Sequence, residues 1–268
     1  MHVFLWVMIA MGVASIGGAA SASNPEANIP QVAVIDWFPF GWQEDGRDKG
    51  MFIDLVALYS RELDTRIDAV VAPVPRVIRG MEDGEFDFTL TYRDTDMMGQ
   101  VTYIADIGCL TSYIISYRDN PVTSLEGLNG LTVAYPGRGY FAKRYLPHLK
   151  LDGVQVTQTF VMFRMALRRR LDAFVINDAV WEGYRNNLYP GFKVPQDRWA
   201  DFAEPLPIDT MPLSVSIAPG SKHSAMGQQI SALAQSDAFM AKVRALYAAY
   251  KLPNATGCLS SPAVPTSE

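Results

Sequence analysis

Apolar positions along this chain follow two alternating rhythms. Gln31 to Ile35 alternates toward a strand, and Met51 to Leu63 then sets Phe52, Leu55, Val56, Tyr59 and Leu63 on one stripe of an amphipathic helix. Ile67 to Ala72 predicts a second strand. Pro75 opens a short helix carrying Val77, Ile78 and Met81, Gly84 ends it, and Phe86 to Thr91 predicts a third strand. The first unit therefore reads βαβαβ. A long apolar strand from Leu110 to Tyr117 leads to a turn at Pro121, where Ser124 caps a helical turn over Leu125 to Leu128. A second set of elements begins there: strand Leu131 to Tyr135, helix Tyr140 to Leu146, strand Val154 to Thr157, helix Phe160 to Arg169, strand Ala173 to Ile176 and helix Ala179 to Asn187. Pro190 to Pro212 reads as irregular. Strand Leu213 to Ala218 follows, with helices Ala225 to Gln235 and Ala238 to Tyr250, the latter capped by Ser236, and a loop-like tail. No internal repeat at a fixed period is present, which argues against a solenoid or propeller.

Composition narrows the chemistry. The chain has 268 residues, 49% of them hydrophobic and 19% charged, enough to bury a large core. Its 23 Lys and Arg against 28 Asp and Glu give a net charge of -5, with no long basic run to neutralise a phosphate backbone, so nucleic acid is not an expected partner. His2, His148, His223, Cys109 and Cys258 show no metal-ligand spacing, and no metal or cofactor is expected.

The N-terminus changes the compartment. Val3 to Val13 is an apolar run too short to span a bilayer, and the following small residues end in Ala20-Ser21-Ala22, which fits a signal peptide cleaved after Ala22. The run is preceded only by His2 where a Lys or Arg is usual, and an uncleaved membrane anchor is the alternative. No later stretch is long and apolar enough to span a membrane, so a soluble protein of the periplasm is expected. In an oxidising compartment the two cysteines, Cys109 and Cys258, read as a disulfide, the alternative being two buried thiols. Such a bridge closes a loop worth about 4 to 5 kcal/mol in the chain-entropy account.

Several segments resemble a known family. Trp37-Phe38-Pro39-Phe40, Asp45-Gly46, Gly50 before a helix and Gly84-Glu85-Phe86-Asp87 are similar to the first lobe of the family 3 extracellular solute-binding proteins, which serve ABC importers of polar amino acids. Tyr103-Ile104-Ala105-Asp106, the segment Ser124 to Val133, and Leu171 to Asp178 resemble that family's pre-hinge segment, second-lobe start and ligand-facing strand end. The likeness runs from about Gln31 to Tyr250. It implies a type II periplasmic-binding-protein fold: two α/β lobes joined by a two-strand hinge, with the ligand between them. On that plan residues 1–22 are the signal peptide, 23–110 the first part of lobe 1, 111–212 lobe 2, and 213–268 the return to lobe 1 with the C-terminal helices.

A zwitterion held between lobes needs donors for its carboxylate, an anion for its ammonium, and aromatic or apolar walls. Asp178 follows an apolar strand, where open α/β sheets present ligand groups, and the resemblance makes it the ammonium-binding acid, with Asn177 beside it. Capping of the next helix is the alternative role. In the family a Thr, here Thr91, precedes an Arg that takes the carboxylate. This chain has Met97 or Met98 about where that Arg would fall, and its nearby guanidinium is Arg93, which either replaces it or pairs with Asp94 or Asp96. Phe38, Phe40 and Trp42 are candidate ligand walls, the alternative being core packing. Arg76 points either into the cleft or along the surface. Gly137-Arg138-Gly139-Tyr140-Phe141-Ala142 formally matches a dinucleotide fingerprint but lacks the acidic residue that should follow, so Arg138 and the helix start read instead as an anion contact for the ligand.

No G-x-S-x-G, P-loop or H-E-x-x-H motif is present, and no catalytic role is expected. The expected function is a periplasmic receptor, a monomer, that closes on a small polar solute, an amino acid or a relative, for ABC-type import. A dehydratase or lyase on the same fold, or a receptor for a membrane sensor, are the alternatives.

Overall fold

The computed structural model describes residues 28–93, 101–137, 140–189 and 191–253. The predicted signal segment, Met97, Met98, Arg138 and Cys258 lie outside the described residues.

The strands are β1 (Gln31–Ile35), β2 (Trp42–Glu44), β3 (Arg47–Lys49), β4 (Asp68–Ala72), β5 (Phe88–Tyr92), β6 (Thr102–Ser116), β7 (Thr132–Pro136), β8 (Asp152–Val156), β9 (Ala173–Asn177) and β10 (Leu206–Ile217). Eight of them share one sheet in the order β4-β1-β5-β10-β6-β9-β7-β8, while β2 and β3 form a separate hairpin. The parallel strands at the two ends are joined by antiparallel pairing in the middle. There β6 and β10 pair from Thr102↔Ile217 to Ile114↔Leu206. Leu213–Ile217 of β10 also pairs with β5, whereas Ser112–Ser116 of β6 pairs with β9. The same two strands thus complete the sheet of one lobe and begin that of the other.

Burial follows the alternation of each strand. In lobe 1 one face packs α1 (Met51–Glu62), α6 (Ser224–Ala234) and α7 (Asp237–Ala249) over Val34, Phe88, Leu90, Ile107 and Leu213. Its other face packs Val77 and Met81 of α2 (Val74–Asp83) against Ala33 and Ile35. In lobe 2, α4 (Thr159–Ala166) and α5 (Asp178–Arg185) cover Ile115, Phe174 and Ile176. Phe141 of α3 (Tyr140–Arg144) packs with Ile114, Val133 and Val175 on the reverse side. These are the two α/β lobes that the sequence pattern implies.

Two differences from the sequence reading matter. β6 begins at Thr102 rather than Leu110, and β10 reaches back to Leu206 through a segment read as irregular. Pro207 and Pro212 hid it, since proline cannot donate to a ladder. Both are tolerated: Pro207 lies where β10 is the edge of the lobe 2 sheet, next to a bulge, and Pro212 immediately precedes the pairing with β5 while its carbonyl accepts the Arg93 N–H at 3.2 Å. The β2–β3 hairpin was also unpredicted, although Asp45-Gly46, both at positive φ, is the turn such hairpins use.

Gly50 precedes α1 at φ 130, and a Cβ there would lie 2.2 Å from the Phe40 carbonyl oxygen, so only glycine fits. Cys109 of β6 is buried and disulfide-bonded. No described helix is long and apolar enough to cross a membrane.

Candidate functional site

The lobes meet at the carboxyl ends of β1 and β9. Trp37, just past β1, packs against the cores of both lobes, and Ala179, just past β9, belongs to the lobe 1 core.

Asp178 stands at this junction, 7% exposed. The β6–β9 ladder ends at Ser112↔Asn177, and the carboxylate continues it by accepting from Thr111, through both backbone N–H and hydroxyl. The Ala179 N–H also donates to Asp178 Oδ1 at 2.7 Å. Burial raises its pKa to about 6 against these hydrogen bonds, and no cationic side chain among the described residues lowers it. The site is thus a desolvated carboxylate that lacks a counter-ion among the described residues. Behind it in lobe 1 lies Tyr247, whose buried hydroxyl finds no partner among the described residues and whose pKa is raised, first by burial and then by Asp178.

The helix-capping role considered for Asp178 belongs to its neighbour. Asn177 Oδ1 accepts the Val180 N–H at 2.9 Å and so caps α5, committing that side chain to the helix.

Phe38 reaches from lobe 1 onto α5. Its ring lies 6.1 Å from Tyr184, 4.8 Å from Tyr189 and 5.3 Å from Trp42, and a Cβ on Gly183 would come within 2.8 Å of it. Phe38 and Trp42 therefore belong to an aromatic contact between lobes. Phe40 is fully buried between Trp37 and Phe52, which corrects its reading as a cleft wall: it is a core residue, at 5.2 and 4.7 Å from those rings.

Thr91 is buried within β5 opposite Ser214 of β10. Arg93, at the end of β5, donates to Asp106 Oδ1 at 2.7 Å and Ser214 Oγ at 3.2 Å, with its guanidinium 5.2 Å from the Tyr103 ring; Asp94 and Asp96, the acids first considered for it, lie outside the described residues. Ser214 donates to the same Asp106 oxygen at 2.6 Å, so the cation is held across three adjacent strands. Arg76 lies on the surface of lobe 1, paired with Glu85 at 2.8 Å and above Phe86.

Asp36 was missed in the sequence, although it directly follows β1, the kind of strand end that singled out Asp178. Its carboxyl is also raised, by partial burial and then by Asp48, and it acts in turn on Tyr189. Thr111 and Tyr189 carried no sequence signal, because their roles come from partners distant along the chain. Among the described residues no cluster of His, Cys, Asp and Glu could hold a metal.

No protein-family model matches the sequence, and no curated protein matches it. Solved structures do match in fold. An ancestral arginine-binding protein bound to arginine aligns at TM-score 0.66 and 17% identity, covering 83% of this chain and 97% of that one. A mutant of ArgBP from T. maritima aligns at 0.67 and 15%, covering 84% and 96%. A histidine kinase sensor domain with similarity to periplasmic binding proteins aligns at 0.66 and 15%, covering 81% and 95%. The chain therefore has the two-lobed fold of the periplasmic binding proteins.

Proposed function

We propose that this protein is a periplasmic receptor that captures a small cationic or zwitterionic solute, an amino acid or a relative, between its lobes and passes it to an ABC-type permease without altering it. The observation that carries this reading is Asp178: a buried carboxylate, held in place by Thr111 and Ala179, with no cation to neutralise it among the described residues, at the strand end where the lobes meet. Burying an anion is costly, and a ligand ammonium offsets that cost only when bound, which makes the site selective for an occupied, closed state. The fold's likeness to amino-acid-binding proteins supports the same ligand class.

Thermal unfolding of the mature protein with amino acids, amines, small carboxylates and sugars tests it. An ammonium-bearing solute is expected to raise Tm, since ligand at 100 times its Kd adds about 2.7 kcal/mol. The same solute should be recovered unchanged after prolonged incubation. A response only to carboxylates or sugars, or consumption of the solute, would refute the reading.

The sensor-domain neighbour favours one second reading, in which the same ligand-bound receptor signals through a membrane histidine kinase. A permease gene beside this one supports transport, and a histidine-kinase gene supports sensing.

A further inference from the structure

A pocket of about 250 Å³ opens on lobe 2, between α5, Tyr113 of β6 and the segment 199–205 that leads into β10. Its aromatic members stand at steep angles: Trp181 and Trp199 are 4.9 Å apart at 89°, and Trp181 and Phe202 are 5.7 Å apart at 78°. All three rings pack with the lobe core, so this part of the lining is rigid.

The charges around the pocket are unevenly used. Glu182 and Arg185, on successive turns of α5, pair with each other at 3.2 Å. Arg118 and Glu204 are both exposed, and neither side chain has a hydrogen bond or ion pair among the described residues. One free cation and one free anion line the same pocket without neutralising each other. A molecule carrying both charges completes that arrangement, its carboxylate on the Arg118 fork and its ammonium against Glu204. The Tyr113 phenol fits the anionic end: its pKa is raised, first by burial and then by Asp178, Glu182 and Glu204, marking a negative local potential that suits an ammonium. The volume lies below the roughly 300 to 1,000 Å³ of drug-sized sites and suits a free amino acid.

We propose that this pocket is a second ligand site, distinct from the junction between the lobes, for a small zwitterion of amino-acid size. The Asp178 charge acts on Tyr113, but Arg118 and Glu204 are not part of the Asp178 site, so substitutions at those two residues test this pocket separately. Its position on β6, with Tyr113 two residues beyond Thr111 on the same face of the strand, places it against one of the two strands that cross between lobes.

The test uses the full mature chain carrying Asp178→Asn, which removes the anion from the lobe junction, with L-leucine as probe and equilibrium dialysis and tryptophan fluorescence as readouts. Saturable binding of L-leucine is expected in that background. Glu204→Gln and Arg118→Gln, both exposed substitutions that leave the core intact, should each weaken it by about tenfold or more, the scale of a lost charge-assisted hydrogen bond. Isoamylamine and 4-methylpentanoate, each keeping one charge, should bind weaker by a similar factor. No saturable binding in the Asp178→Asn protein, or binding unchanged by both rim substitutions, would overturn the second site while leaving the Asp178 reading to its own ligand panel.

Discussion

A carboxylate buried as deeply as Asp178 ordinarily has a cation or a proton for company, and among the described residues no cation accompanies it. Its folded pKa of about 6 lies above the ordinary 3.8, so the folded state favours the protonated form. The sign is therefore opposite to that of a salt-bridged aspartate: ligand-free stability is highest at low pH as far as this group is concerned, and falls as pH rises from about 4 through 6. The full cost, about 3 kcal/mol from the shift, is present at pH 7. Asp178→Asn is expected to flatten that part of a urea-derived stability profile between pH 4 and 7 and to stabilise the empty protein at pH 7. The same substitution should weaken binding of an ammonium ligand by at least about 2 kcal/mol. In the unsubstituted protein, affinity for that ligand should rise between pH 5 and 7, with proton release on binding near pH 6 seen as a buffer-dependent heat. A pH-independent affinity over that range would count against an ionised Asp178 in the complex.

The position of Asp178 at the lobe junction was legible because it follows an apolar strand, the kind of place where α/β sheets present side chains. Asn177 was legible only as its neighbour, and its Oδ1 caps α5, a role the sequence reading did not assign to it. Arg93 illustrates the limit of local reading: the ladder brings it Asp106 and Ser214 from two other strands, partners that its neighbours along the chain do not announce. Phe40 differs from Phe38 for a similar reason. Both sit in one short loop after β1, and only the fold decides that one ring turns inward to Phe52 while the other reaches α5.

At the scale of elements, the apolar rhythm identified most helices and the outer strands, since each buries one face against a single neighbour. The crossing strands were cut short because their pattern serves two lobes and is broken by prolines and bulges. Cys109 lies on one of them, opposite Pro212 of the other. We expect its disulfide partner to be Cys258, the one other cysteine in the sequence. Alkylation of the unreduced, denatured protein should add no label, and reduction should lower Tm, by an amount consistent with about 4 to 5 kcal/mol in the chain-entropy account. Two labels without reductant would refute the bridge.

α5 meets lobe 1 through a glycine. Gly183→Val puts branched bulk where even a Cβ would sit 2.8 Å from Phe38, a ring already packed by Trp42 and Tyr189. Overpacking of this kind typically costs about 1 to 3 kcal/mol. The expected outcome is a lower Tm together with weaker ligand binding, because the substitution wedges the lobes apart. An unchanged Tm would mean that Phe38 and α5 are not in contact in solution.

For the whole molecule, the sheet is continuous, yet its two ends are covered by different helices and share few side chains. Trp37 is one of the few, touching the cores on both faces of lobe 1 and the core of lobe 2. An indole in that position works as a built-in gauge of the angle between the lobes. Its emission depends on how closely Phe40 and Tyr92 on one side and the lobe 2 residues on the other enclose it. Any solute that closes the protein should therefore change the colour or intensity of tryptophan fluorescence, and Trp37→Phe should remove most of that change, while Trp181 and Trp199, which line the lobe 2 pocket, report on that pocket instead. The protein would then carry its own closure signal, readable without a label and on the timescale of the motion itself.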